Sequence, residues 1–88
     1  MNFPFAERSR TSGNLNDMTQ MGIYRVAGTG FVNAPTSSIY GILLVLRDRT
    51  SYGVQVLFDS SAAKAYWRGF IFTEGNFYDW REITTTAV

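Results

Sequence analysis

From Gly22 onward, apolar and polar positions alternate with a period near two, and that spacing predicts strands. Residues 23–27 (IYRVA) form a first short strand. Residues 39–48 (IYGILLVLRD) are almost continuously apolar, which predicts a strand covered on both faces by a second sheet or a partner chain. In 52–59 (YGVQVLFD), Tyr52, Val54, Val56 and Phe58 share one face, and Gln55, Leu57 and Asp59 share the other. In 64–72 (KAYWRGFIF), Ala65, Trp67, Gly69 and Ile71 oppose Tyr66, Arg68, Phe70 and Phe72. Residues 77–83 (FYDWREI) read as the closing strand, with Tyr78, Trp80 and Glu82 on one side and Phe77, Asp79, Arg81 and Ile83 on the other. Neither side is cleanly apolar, which implies a two-sided environment or a bulge.

Segments rich in Gly, Pro, Ser and Thr separate these runs at 28–38, 49–51, 60–63 and 73–76. Before Gly22, Leu15, Met18 and Met21 are spaced three apart, which predicts one short helical turn with a glycine stop. Residues 1–14 have no period and read as an arm or linker whose Phe3 and Phe5 can dock on a neighbour. The expected fold is all-β: a small antiparallel meander or sandwich of about five strands, with one helical turn near the N-terminus. The expected organisation is an arm over 1–14, a β domain over 15–84 and a tail over 85–88.

Composition narrows the chemistry. The 88 residues contain neither cysteine nor histidine. That excludes disulfides, thiolate metal sites, the commonest general base and the Ser-His and Cys-His nucleophile pairs. A chain this short buries a small core, and oligomerisation is the support left to it. Eight basic residues face seven acidic ones, for a net charge of +1, and the basic residues are scattered. This weighs against a nucleic-acid binder, including an OB-like single-strand binder, since both rely on phosphate neutralisation. The longest apolar run, 39–46, is far below the ~20 residues of a membrane-spanning helix. The opening MNFPFAERSR carries charges where a signal peptide would have its apolar core. The acids sit in or beside turns, where solvated charges belong, although Asp59 and Asp79 could approach each other. No motif indicates an enzyme, a cofactor or a metal site.

Four pieces in order carry a resemblance: LNDMTQMGIYRV (15–26), FVNAPTSSIYGILLVLR (31–47), VQVLFDSSAAKAYWRG (54–69) and GNFYDWREI (75–83). Together they resemble the knob domain of tail fibres of contractile-tailed phages and R-type pyocins. The resemblance spans about residues 15–83. It implies a β-rich, non-enzymatic module on a homotrimeric fibre, located on a virion or phage-derived tail-like particle, near the end that meets the bacterial surface. Relatives often end with tryptophans three residues apart; here the first of that pair is Phe77.

Aromatics make up 16% of the chain, and seven of its eight basic residues are arginine. Both suit interfaces and carbohydrate platforms, because aromatic faces pack on pyranose CH groups and guanidinium forks bond bidentately. The candidate glycan contacts are Phe31, Asn33, Tyr66, Trp67, Arg68, Tyr78, Trp80 and Arg81, with Asp79 or Glu82 able to bond hydroxyls. Against this stands ordinary packing: Trp80 in the core, Arg81 paired with a carboxylate, and Tyr66 and Trp67 in cross-strand pairs. The loop 28–38 offers Thr29, Asn33, Thr36 and Ser37, with Phe31 as an apolar tip. The candidate oligomer contacts are Phe31, Ile39, Tyr40, Leu43 and Leu44. The expected function is attachment to the bacterial surface, by binding polysaccharide or by shaping the trimeric fibre. The alternative is a purely structural trimerisation module.

Overall fold

The computed structural model describes residues 6–88. Phe3 and Phe5, assigned to a docking arm, lie outside the described residues. The strands are β1 (Ala6–Arg10), β2 (Gly13–Asn14), β3 (Gly22–Gly28), β4 (Phe31–Val32), β5 (Ile39–Arg47), β6 (Tyr52–Asp59), β7 (Lys64–Ile71), β8 (Asn76–Phe77) and β9 (Arg81–Ile83). A 3-10 turn at Leu15–Asp17 fills the place of the expected helical turn. Asn14 caps it by accepting a hydrogen bond from the Asn16 amide at 2.9 Å.

The protein is all-β. Seven strands form one sheet in the order β1-β3-β5-β6-β7-β8, with β9 also on β7. β3, β5, β6 and β7 are the expected antiparallel meander. The sheet is mixed, however, because β1 pairs in parallel with β3, Ala6 opposite Gly22 and Arg10 opposite Val26. Residues expected to be an arm thus include an edge strand. Its sequence, AERSR, has no apolar stripe to announce it. Charged edge strands discourage pairing with a further sheet, which gives this composition a physical use. Arg8 and Arg10, two apart, both lie over the ring of Tyr24, at 5.4 and 5.6 Å.

A small second layer covers one face of the sheet. β2 and β4 pair in parallel, and the 3-10 turn lies beside them in the chain. From this layer Leu15, Met18 and Phe31 pack with Tyr24, Val26, Leu43, Val45, Leu57, Tyr66 and Phe70 of the sheet. The covered face of β6 is its more polar one: Gln55, Leu57 and Asp59 are buried, while Tyr52 and Phe58 are 63% and 50% exposed.

The opposite face has no cover from the described chain. Its residues follow from the register: Ile23 beside Leu44, Leu44 beside Val56, Val56 beside Trp67, and in the next row Ile42 beside Phe58. Tyr40, Ile42, Phe58 and Trp67 are exposed there. Among the described residues, the strand expected to be covered on both faces is therefore covered on one. The apolar run 39–46 splits into Ile39, Leu43 and Val45 inside and Tyr40, Ile42, Leu44 and Leu46 on the bare face.

Candidate functional site: an arginine-centred cleft

β7 aims Tyr66, Arg68 and Phe70 at the covered face. Arg68 is only 4% exposed, and Gln55 lies opposite it on β6. Arg68 Nε donates to Gln55 Oε1 at 2.8 Å, and Nη2 donates to Asn16 Oδ1 at 2.8 Å. Gln55 Nε2 in turn donates to the carbonyls of Leu15 (2.7 Å) and Met18 (2.8 Å). One buried amide thus satisfies two carbonyls at the 3-10 turn and one guanidinium edge. Buried polar groups hold a fold only when their partners are present, and here each of these bonds is made.

The guanidinium also stacks on aromatics from the C-terminal segment. Arg68 Cζ lies 4.5 Å from the Phe77 ring centroid and 4.6 Å from that of Trp80. Phe77 stacks on Phe70 at 5.1 Å with an interplanar angle of 15°. Burial pushes the Arg68 guanidinium down to about 10, so it remains a cation at neutral pH. Among the described residues it has no ion pair with a carboxylate; the recorded ion pair is Lys64–Glu82, at 4.0 Å.

FYDWREI is not one strand. β8 ends at Phe77 and β9 begins at Arg81, both on the same edge of β7. Tyr78 keeps one tie to that edge, its amide donating to the Gly69 carbonyl at 3.0 Å. The break separates side chains that a strand would place together. Tyr78 faces the Cα of Gly69 on the bare side: a β-carbon there would meet its ring at 3.5 Å. Trp80 packs on the core on the covered side, its Nε1 donating to the Asn33 carbonyl at 2.9 Å. The segment clasps the sheet edge.

Two clefts flank the clasp. One, of about 300 Å³, lies on the covered side and is lined by Asn16, Asn33, Ala34, Arg68, Phe77, Tyr78, Asp79 and Trp80. The other, of about 310 Å³, is lined by Trp67, Arg68, Gly69, Tyr78, Asp79 and Arg81. Tyr78 and Asp79 form the wall between them. The sequence-predicted contacts divide accordingly. Asn33, Arg68, Tyr78 and Trp80 meet at the first cleft, and Trp67 and Arg81 meet Tyr78 at the second. Arg81 is exposed opposite Trp67 in the register. Tyr66 and Phe31 are core residues.

Phe31 is thus no apolar loop tip. Its amide donates to the Ser37 carbonyl at 3.0 Å, which folds the loop back and turns the ring inward. Ile39 and Leu43, expected at an oligomer contact, are likewise inside the chain's own core, whereas Tyr40 and Leu44 lie on the bare face. Sequence reasoning missed Asn16, whose partner Arg68 is 52 positions away. It also missed Gln55; a glutamine in register with an arginine on the next strand was the available signal. Asp59 and Asp79 have separate surroundings. Asp59 is buried and accepts from the Ser61 amide and hydroxyl and the Ala62 amide, closing its own turn. Asp79 is on the clasp.

Comparison with protein-family models, with curated proteins and with solved structures finds no match.

Proposed function

We propose that the chain is a non-enzymatic, knob-like module of a phage or phage-derived tail fibre, associated as a homotrimer and taking part in attachment to the bacterial surface. The observation that carries this reading is the bare apolar face. Ile23, Ile42, Leu44, Val56, Phe58 and Trp67 form contiguous rows across four strands, with Tyr40, Ile42, Phe58 and Trp67 each at least 40% exposed. Soluble chains seldom leave such a surface in water, and at roughly 25 cal/mol per Å² its cover is a sizeable driving force for association. The bare face supplies the surface; the resemblance to fibre knobs supplies the number three. The clefts around Tyr78 and Asp79 favour attachment over a purely structural role, because they combine aromatic faces with amide, carboxylate and guanidinium groups.

The test is Ile42→Lys, a charge in the middle of the bare face. Sedimentation velocity is expected to show the unaltered chain as a trimer and the variant as a monomer with an unchanged circular dichroism spectrum. Equal sedimentation of the two overturns the assignment of this face as the interface.

A further inference from the structure

We propose that the cleft beside Arg68 binds the carboxylate of an acidic saccharide, with the Arg68 guanidinium as its counter-charge. The inference rests on the attachment reading for the saccharide and on the cleft's own geometry for the charge.

A cation removed from water is ordinarily matched by an anion, because neutral partners replace only part of its hydration. Arg68 is 4% exposed, and its hydrogen bonds go to two neutral side-chain amides, Gln55 and Asn16. Phe77 and Trp80 add aromatic faces but no charge. Among the described residues Nη1 donates to no protein acceptor, and Arg68 lines the cleft. An anion entering there finds a donor in a site whose low polarisability strengthens the pair.

The surroundings select the ligand. A cleft of about 300 Å³ accommodates one sugar ring. Trp80 supplies an apolar wall for its CH groups, and Phe77, its faces taken by Phe70 and Arg68, adds its ring edge. Asn33 Nδ2 is engaged with Asn14 Oδ1 at 2.9 Å, which leaves its own oxygen to accept from a hydroxyl. Asp79 on the wall accepts hydroxyl protons and repels multiply charged groups, which favours a single carboxylate over a phosphate-rich ligand. Of the cleft's lining, none belongs to the rows Ile23, Ile42, Leu44, Val56, Phe58 and Trp67 through which the chain is proposed to associate.

The experiment is a titration of the full ¹⁵N-labelled chain, reading the Arg68 Nε–H and Trp80 Nε1–H resonances. The probes are galacturonic acid, methyl galactoside and acetate. Galacturonic acid is expected to shift both resonances with an apparent affinity about tenfold or more above either other probe, the difference one charge-assisted bond makes. No shift, an equal response to methyl galactoside, or an equal response to acetate overturns the proposal; the last leaves a simple anion site. Asn16→Asp provides the check on charge. It places a carboxylate of the same shape at Arg68 Nη2 and is expected to abolish the response while retaining the fold. Undiminished binding by that variant overturns the counter-charge argument. Failure here is distinct from failure of the fibre reading: a trimer that ignores galacturonic acid loses only this inference, and a monomer that binds it loses only the fibre.

Discussion

At position 68 a lysine cannot replace the arginine. The planar fork reaches Gln55 with one edge and Asn16 with another while its faces lie near Phe77 and Trp80. An ammonium reaches one such partner and stacks poorly. Arg68→Lys is expected to lower stability by about 2–3 kcal/mol in urea unfolding, through an unsatisfied amide oxygen and lost stacking. Two glycines make a sharper contrast. A β-carbon at Gly41 would fall on the carbonyl oxygen of Phe58, whereas one at Gly69 would make ordinary contact with Tyr78. Gly41→Ala is expected to cost about 2–3 kcal/mol and Gly69→Ala under about 1 kcal/mol, measured the same way. Asp48 gives a pH-dependent case. Its Oδ1 accepts from the amides of Ser51, Thr50 and Tyr52, and these bonds hold its carboxyl below the usual value of 3.8. A depressed folded value means the contribution is complete above 3.8 and lost as pH falls through the lower folded value. The protection of the Thr50, Ser51 and Tyr52 amides, relative to the intrinsic exchange rate at each pH, is expected to fall only below that range. A loss of protection beginning near pH 5 contradicts the assignment.

Among the elements, the 3-10 turn is tied to the sheet by one side chain. Gln55→Leu leaves the Met18 carbonyl and the Arg68 Nε without partners and takes from the Leu15 carbonyl one of its two donors, the Met18 amide remaining. It is expected to cost about 3 kcal/mol or more by thermal unfolding, although leucine is the more apolar residue. A neutral or stabilising result contradicts the network. The same residue explains what the sequence concealed. The alternation in β6 was legible, and with it the two sets of side chains. Which set faces inward was not, because the more apolar set, Val54, Val56 and Phe58, is the one that the described residues leave without a cover. The clasp was half legible: the mixed faces of FYDWREI implied a two-sided environment or a bulge in a closing strand, and the strand breaks there. Its consequence, Tyr78 and Trp80 on opposite sides, required knowing that β7 presents an edge at Gly69. β1 was not legible at all. A polar edge strand has no period to detect, since its parallel pairing with β3 is made by backbone.

At the scale of the molecule, the central feature is a sheet that the described residues cover on one side. The all-β class, four strands of the expected five-strand meander and the helical turn were readable from period and punctuation. The second layer was not, since β2 and β4 are two residues each, and Phe31 of β4 and Leu15 of the adjoining turn join the core of the sheet. Four of the predicted glycan contacts converge at one cleft because three distant segments, 14–16, 33–34 and 76–80, meet over Arg68. Such contacts are set by topology, and local spacing does not contain them. The bare face follows from the same topology. In the proposed trimer its rows of isoleucine, leucine, valine, phenylalanine and tryptophan lie against another copy of the chain. Light scattering of the unaltered chain over a range of concentrations tests this most directly. The expected result is a mass three times 9.9 kDa, constant on dilution through the micromolar range. A single species of 9.9 kDa at every concentration contradicts it.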